Sequence, residues 1–330
     1  MAVVRHNILK DTTSREQFIK GVNLLKREFP PGITTEVLQF PPPSIPVSTY
    51  DLFVLWHHLD MTTETPPRNP TGRNFAHLGP IFLPWHRFML LLLEAHLRRV
   101  LEDPSFGLPY WDWTADGDLT VPPTDLWTID DAVGGTGDPV TTGPFKFDAE
   151  NPSDSFRVFF EFEGFIGGIL LDRAGRGLRR QLGEVAGLPL PTTGQVSRLL
   201  TESDYDREEW DGISLGFRNH LEAGRFAVGN NGLVPSRLHN GVHGWVSGDM
   251  GLTTSPNDPV FYLHHCNVDR IWEAWLTRRG RTYVPTQATP GAPEGHRLED
   301  KITSFVVGGT TTPADMLDVS ALYEYDVLPA

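Results

Sequence analysis

Cysteine is all but missing from this sequence: Cys266 is the only one in 330 residues. An internal disulfide is thereby excluded, the chain suits a reducing compartment, and a site for a soft metal must use something other than thiolate. Long apolar runs are missing too. No stretch approaches the roughly 18 residues a membrane span needs, and the N-terminus MAVVRHNILK lacks the apolar region of a signal peptide. Both features point to a cytoplasmic protein without a membrane partner. Positive charge is scarce, with 28 Lys and Arg against 42 Asp and Glu and a net charge of −14. That balance disfavours nucleic acid and anionic membrane surfaces as partners. Fixed-period repeats and low-complexity tracts are absent as well.

What is present fits a globular protein: 39% hydrophobic and 21% charged residues, with 32 Gly and 28 Pro that imply long ordered loops. The segment TTSREQFIKGVNLLKREF reads as a helix, with Thr13 and Glu16 in a capping-box pattern and Phe18, Val22, Leu25 and Phe29 at helical spacing. STYDLFVLWHHLDM reads as a buried helix capped by Ser48. A long amphipathic helix runs from Pro84 through PWHRFMLLLLEAHLRRVL and ends in a basic turn that suits its dipole. Residues 103–155 are irregular. Short helices are expected near 176–183, 194–201 and 214–223, then one around 236–246. A last long helix begins at NDPVFYLHH, with Asp258 as N-cap and Pro259 in its first position. The tail is mostly loop with short strands. No linker separates two cores, so residues 1–330 are expected to form a single domain.

Histidine carries the chemistry. His57 and His58 sit in FVLWHHLD, His77 and His86 flank and enter PWHRFML, and His239, His243, His264 and His265 lie in the second half. A histidine in an apolar helix needs its ring nitrogens satisfied, by a backbone carbonyl or by a metal. One such residue is explained by a carbonyl; eight in four apolar segments favour a metal. Imidazole suits zinc, copper, iron and nickel. Hydrolytic zinc sites usually include a carboxylate, or take three histidines and stop. Two all-histidine sets on paired helices therefore indicate a binuclear, redox-active centre.

The same motifs resemble the type-3 copper family of tyrosinases, catechol oxidases, o-aminophenol oxidases and hemocyanins. In PWHR, His86 follows His77 by nine residues, with His57 in the preceding helix; SRLHNGVHGW supplies His239 and His243; and NDPVFYLHHCNVDRIW supplies His265. LPYWDW, GFRNHLE and the pair Tyr323 and Tyr325 also match, and the likeness is greatest to compact bacterial tyrosinases. The resemblance implies a mainly α fold, a four-helix bundle around two copper ions, with His57, His77 and His86 on one ion, His239, His243 and His265 on the other, and O2 as co-substrate. It implies o-hydroxylation of monophenols and oxidation of o-diphenols to o-quinones. Alternatives are an oxidase confined to catechols or o-aminophenols and, more remotely, an O2 carrier. A copper-chaperone helper protein (a caddie) is an implied partner beside the phenolic substrate.

The family pattern further implies that Glu222 and Asn240 hold a water that takes the phenol proton. His58 and His264, about 100° round the helix from their neighbours, are expected in supporting or core roles. Glu94 and Asp269 are expected to orient metal-bound imidazoles. Phe261 is expected to wall the copper pocket, Gly244 to open it toward bulkier phenols, and the 16 residues between Glu222 and His239 to shape access. Cys266 is expected to be an inert buried thiol, and Phe75 stands where some relatives carry a thioether-forming cysteine. With five residues after Tyr325, no C-terminal lid domain is expected, and activity should not need proteolysis.

Overall fold

The computed structural model describes residues 2–119, 125–128, 132–162, 169–184, 188–222, 225–227, 233–235 and 237–330. Its helices are α1 (Thr12–Arg27), α2 (Thr49–Thr62), α3 (Phe82–Leu101), α4 (Thr114–Gly117), α5 (Thr193–Leu199), α6 (Phe217–Glu222), α7 (His239–Val246) and α8 (Val260–Arg279). The strands are β1 (Val3–Arg5), β2 (Val158–Phe162), β3 (Ile169–Arg176), β4 (Arg225–Ala227), β5 (Leu233–Pro235), β6 (Ile302–Thr303), β7 (Thr310–Thr311) and β8 (Tyr323–Tyr325). They form four two-stranded pairs, all antiparallel except β1 with β8. The fold is mainly α, and α2, α3, α7 and α8 make the bundle that carries the paired histidine sets.

The bundle helices form because nearly all of their residues find apolar company. In α8 every residue from Val260 to Ile271 is buried, as are ten of the residues in α2. Ser48 caps α2 as expected, its side chain accepting the Asp51 N–H. The start of α1 differs from the sequence reading. Asp11, not Thr13, is the cap, accepting the Ser14 N–H at 2.9 Å, because its carboxylate reaches a free N–H one turn earlier. Helix α3 begins at Phe82, so Pro84 sits in the first turn, where a missing N–H costs nothing. Asp258 does accept the Val260 N–H at 3.0 Å, but it lies just outside the helix, after a 3-10 turn at Ser255–Asn257.

The expected helix at 176–183 does not exist; β3 runs to Arg176 and an extended loop follows. Arg180 explains why. Its buried guanidinium grips both oxygens of Asp258 (2.6 and 2.7 Å) and the carbonyls of Val133 and Gly134, while its backbone bridges Gly137. At the other end of the molecule β1 lies parallel to β8, pairing Val3 with Tyr323 and Arg5 with Tyr325. The Arg5 guanidinium stacks 3.4 Å from the Tyr323 ring centroid. Both chain ends are thus packed against α3 and α8.

Candidate metal centre

His57 belongs to α2, His86 to α3, and His77 to the loop between them. That loop is held from within: the Asn74 side-chain oxygen accepts the N–H groups of Ala76 and His77, at 3.1 and 2.8 Å. The three rings meet at centroid separations of 4.8 to 5.8 Å, and their ligand atoms lie within 4.8 Å of one another. His57 Nε2 and His86 Nε2 are buried and have no hydrogen-bond partner. A buried imidazole nitrogen without a partner is costly unless something else takes its lone pair.

The second set is tighter. His239 and His243 lie one turn apart on α7, and His265 faces them from α8. Their Nε2 atoms form a triangle with sides of 3.1, 3.2 and 3.4 Å. That is the spacing three nitrogens have when each stands about 2.0 Å from one shared ion. His86 and His265 stack at 4.1 Å and 7° across the two sets, so the sets are adjacent.

Backbone carbonyls fix which nitrogen faces inward. His57 Nδ1 meets Thr253 O at 2.7 Å, His86 Nδ1 meets Phe82 O at 2.8 Å, His239 Nδ1 meets Glu222 O at 3.1 Å and His243 Nδ1 meets Met250 O at 2.7 Å. A carbonyl only accepts, so each Nδ1 carries the proton and each Nε2 presents a lone pair. Burial depresses the basicity of every ring, holding His57 near about 3 and His243 at about 4, and His77, His86, His239 and His265 well below the usual value. The charge of neighbouring histidines, were they protonated, adds to the effect at His77, His86, His239 and His265. All six are neutral, the form that binds a metal.

Two expected supports lie elsewhere. Glu94 pairs with Arg5 and Arg98 and accepts the Leu108 N–H; Asp269 pairs with Arg5 and Arg87 and accepts both Tyr323 and Tyr325 hydroxyls. Neither touches a histidine. Buried arginines beside them outcompete a neutral imidazole for a carboxylate.

Glu222 is 1% exposed and joins the two sets. Its Oε1 accepts the Leu78 N–H at 2.6 Å, its Oε2 the Arg218 guanidinium at 3.0 Å, and its carbonyl meets His239. Leu78, directly after His77, has φ of 58°, a left-handed conformation unusual for leucine that this carboxylate contact holds in place. Burial pushes Glu222 up to about 7, with Arg218 opposing. Asn240 is exposed on α7 and makes no direct hydrogen bond to Glu222. Phe261 is fully buried, its ring centroid 4.1 Å from His265 and 5.0 Å from His57. Gly244 does not leave an opening: a Cβ there would come within 2.6 Å of Leu188 Cδ1, so the leucine occupies the room. Residues 223–238, expected to shape access, include the antiparallel β4–β5 pair, while 223–224, 228–232 and 236 lie outside the described residues.

His58 binds the Thr253 hydroxyl at 2.8 Å and stays out of both sets. His264 is nearer than expected. It is fully buried, stacks 5.1 Å from His239, and falls within the second cluster, yet neither nitrogen reaches a hydrogen-bond partner. The carbonyls of Thr253, Met250, Phe82 and Glu222 were invisible in the sequence, because a backbone acceptor leaves no residue signature. Cys266 is inert, its thiol buried against Leu108 O and pushed up to about 12.

Residues 47–278 match the family model for the common central domain of tyrosinase. The chain belongs to the tyrosinase family. It is 40% identical over 283 residues to a tyrosinase of Streptomyces glaucescens, covering 84% of this chain and 88% of that one. It is 36% identical over 293 residues to grixazone synthase of Streptomyces griseus, covering 84% and 90%. Among solved structures it resembles a polyphenol oxidase variant from Thermothelomyces thermophila, with a TM-score of 0.71 at 22% identity over 99% of this chain and 89% of that one. This tyrosinase-family chain is therefore a copper-dependent oxidoreductase with a binuclear centre that uses O2, and it acts on phenols. The donor set fits that cofactor: two clusters of neutral imidazoles, all buried except the half-buried His243, with no carboxylate or thiolate among them.

Proposed function

We propose that His57, His77 and His86 hold one copper ion and His239, His243 and His265 the other, and that the centre both hydroxylates monophenols and oxidises o-diphenols to o-quinones. The observation that carries the ligand assignment is the Nε2 triangle of 3.1 to 3.4 Å, seconded by the orphaned Nε2 atoms of His57 and His86. The copper pair supplies the binding and activation of O2. The protein supplies position, shape and a proton acceptor. Phe261, fully buried between the sets, walls the centre by packing on the His57 and His265 rings, and we assign Gly244 and Leu188 to the substrate wall.

A phenol with a pKa of ~10 is mostly neutral at pH 7 and must give up its proton. We assign that step to a water between Asn240 and Glu222. Supporting it, both residues flank His239, one as its sequence neighbour and one through a carbonyl. Among the described residues, each Glu222 oxygen spends one of its two lone pairs on Leu78 or Arg218 and keeps the other. Glu222→Gln should cut monophenol turnover more than tenfold while o-diphenol turnover stays within about threefold, each followed as O2 uptake by the copper-loaded protein; about 1.4 kcal/mol of barrier is the tenfold threshold. Equal losses on both substrates would sink the assignment.

Asn240 is exposed while Glu222 is buried, and that difference favours a second reading, an oxidase confined to o-diphenols or o-aminophenols. O2 uptake on a catechol with none on a monophenol would establish it. We also treat residues 1–330 as one catalytic domain, supported by ligands from residue 57 to residue 265 meeting in one core. A small copper-delivering helper protein is proposed as partner because the ligand set is almost wholly buried. A cytoplasmic location is proposed because the single cysteine suits a reducing compartment.

A further inference from the structure

Beside α2 and α3 lies a pocket of about 420 Å³ that no histidine lines. Trp56, Phe75, Trp85, Ile302 and Phe305 form its walls. Trp56 and Trp85 immediately precede His57 and His86, and the Trp85 ring packs edge-on against the His57 and His86 rings at centroid separations of 5.7 and 4.8 Å, so it forms the partition between this pocket and the first histidine set. The pocket size falls in the range used for small organic ligands, roughly 300 to 1,000 Å³. Phe305, on the β6–β7 connection, is 92% exposed, a large apolar side chain left in water at the pocket mouth.

One charged group of the opposite character to these walls lines the same space. Asp60, from the last turns of α2, uses a single oxygen, Oδ2, to accept both the Trp56 and Trp85 indole N–H groups at 2.8 Å. Its Oδ1 takes no hydrogen bond among the described residues. Lys301 also lines the pocket, on its exposed rim, and is not paired with Asp60. A carboxylate with one free oxygen, set among aromatic faces, is what recognises an organic ammonium ion: the oxygen takes the N–H and the ring faces attract the cation. Lys301 at the rim disfavours a second positive charge.

We propose that this pocket is a binding site for an aromatic monoamine, its ring against Trp56, Trp85 and Phe305 and its ammonium group on Asp60 Oδ1. No proposed copper ligand lines the site, which shares only the Trp85 wall with the copper centre and does not depend on which phenols the enzyme oxidises. Burial lifts Asp60 to about 6, so at pH 8 it is charged.

The test is calorimetric titration of the copper-loaded protein at pH 8 with 2-phenylethylamine, which has no phenol to oxidise, and with 2-phenylethanol, its neutral counterpart. The amine should bind about tenfold more tightly than the alcohol, the value of one charge-assisted hydrogen bond. Asp60→Asn keeps an oxygen for the two indoles and should erase that preference without changing the alcohol's affinity. Phe305→Ala, at an exposed position, should weaken both ligands several-fold. Equal affinity for amine and alcohol, or an amine affinity untouched by Asp60→Asn, overturns the proposal. Should Asp60→Asn not yield folded protein, unaltered amine binding by Phe305→Ala overturns it instead.

Discussion

His264 and His265 are neighbours in sequence, both buried and both uncharged, yet they differ in where their nitrogens point. His265 Nε2 stands 3.2 Å from His239 Nε2 and 3.4 Å from His243 Nε2, whereas both nitrogens of His264 lack partners. A ligand is defined by where its lone pair converges. His265→Ala should therefore lower bound copper from two ions to one per chain, and His264→Asn should keep both, as read by metal analysis of the purified protein. Loss of an ion from the second variant alone would exchange their roles. Glu222 makes a separate statement at the same scale. Glu222→Gln retains an oxygen for Leu78 but removes the ion pair with Arg218, whose guanidinium keeps Asp206 at 2.7 Å. Breaking a buried pair outright costs about 3–5 kcal/mol; with Asp206 still present, about 1–2 kcal/mol is expected in urea unfolding. At Gly244, Leu188→Ala should empty the space the leucine fills. Turnover of bulkier phenols should then rise relative to unsubstituted phenol, and an unchanged ratio would remove Gly244 and Leu188 from the substrate wall.

Helices α2, α3 and α8 were legible because burial on several sides leaves a dense apolar run with polar boundaries, and these three carry His57, His86 and His265. Their ends were less legible. Asp11 and Thr13 both make good caps, and only the path of the preceding chain decides which carboxylate or hydroxyl meets a free N–H. The segment 176–183 failed for a different reason: tertiary contacts override local helical preference. A Cβ at Gly177 would lie 2.3 Å from Phe147 Cβ, so a neighbouring chain already occupies the space a side chain would need. Arg180, three residues later, is committed to Asp258 at the start of α8. That ion pair is fully buried on both sides and ties the loop to a ligand-bearing helix. Asp258→Asn keeps an oxygen for the Val260 N–H but strands the Arg180 charge. A loss of about 3–5 kcal/mol is expected in urea unfolding of the copper-loaded protein. A change below 1 kcal/mol would mean that the carbonyls of Val133 and Gly134 are sufficient partners.

Across the whole molecule, the ligand types were legible and their arrangement was not. Sequence spacing separates His57 from His265 by most of the chain, and the carbonyls that orient the rings come from elements with no pattern of their own, such as the turns around Met250 and Thr253. What the assembled core does have is a collective titration. His57 is held at about 3, His58 and His243 at about 4, His77, His86, His239, His264, His265 and His296 well below the usual value, and His96 is lowered as well, chiefly by burial. Unfolded, each titrates near 6.5. Below that pH the unfolded chain takes up protons the folded chain refuses, so stability falls as acid is added. Three carboxyls work the other way. Glu222 at about 7 and Asp60 and Asp206 at about 6 bind protons earlier when folded, and they gain stability as pH falls toward 4. Ten depressed imidazoles outweigh three raised carboxyls, so the net sign is acid destabilisation. The metal-free protein should lose stability between pH 7 and 5 with a slope above about 1.4 kcal/mol per pH unit, the slope of a single proton. Urea unfolding at several pH values measures it; a flat or rising profile would mean the histidines are hydrated once copper is gone. With copper bound, the ions compete with protons for the same nitrogens, so the steep region should move to lower pH. That displacement should shrink in His265→Ala, which has lost a lone pair for the metal to defend.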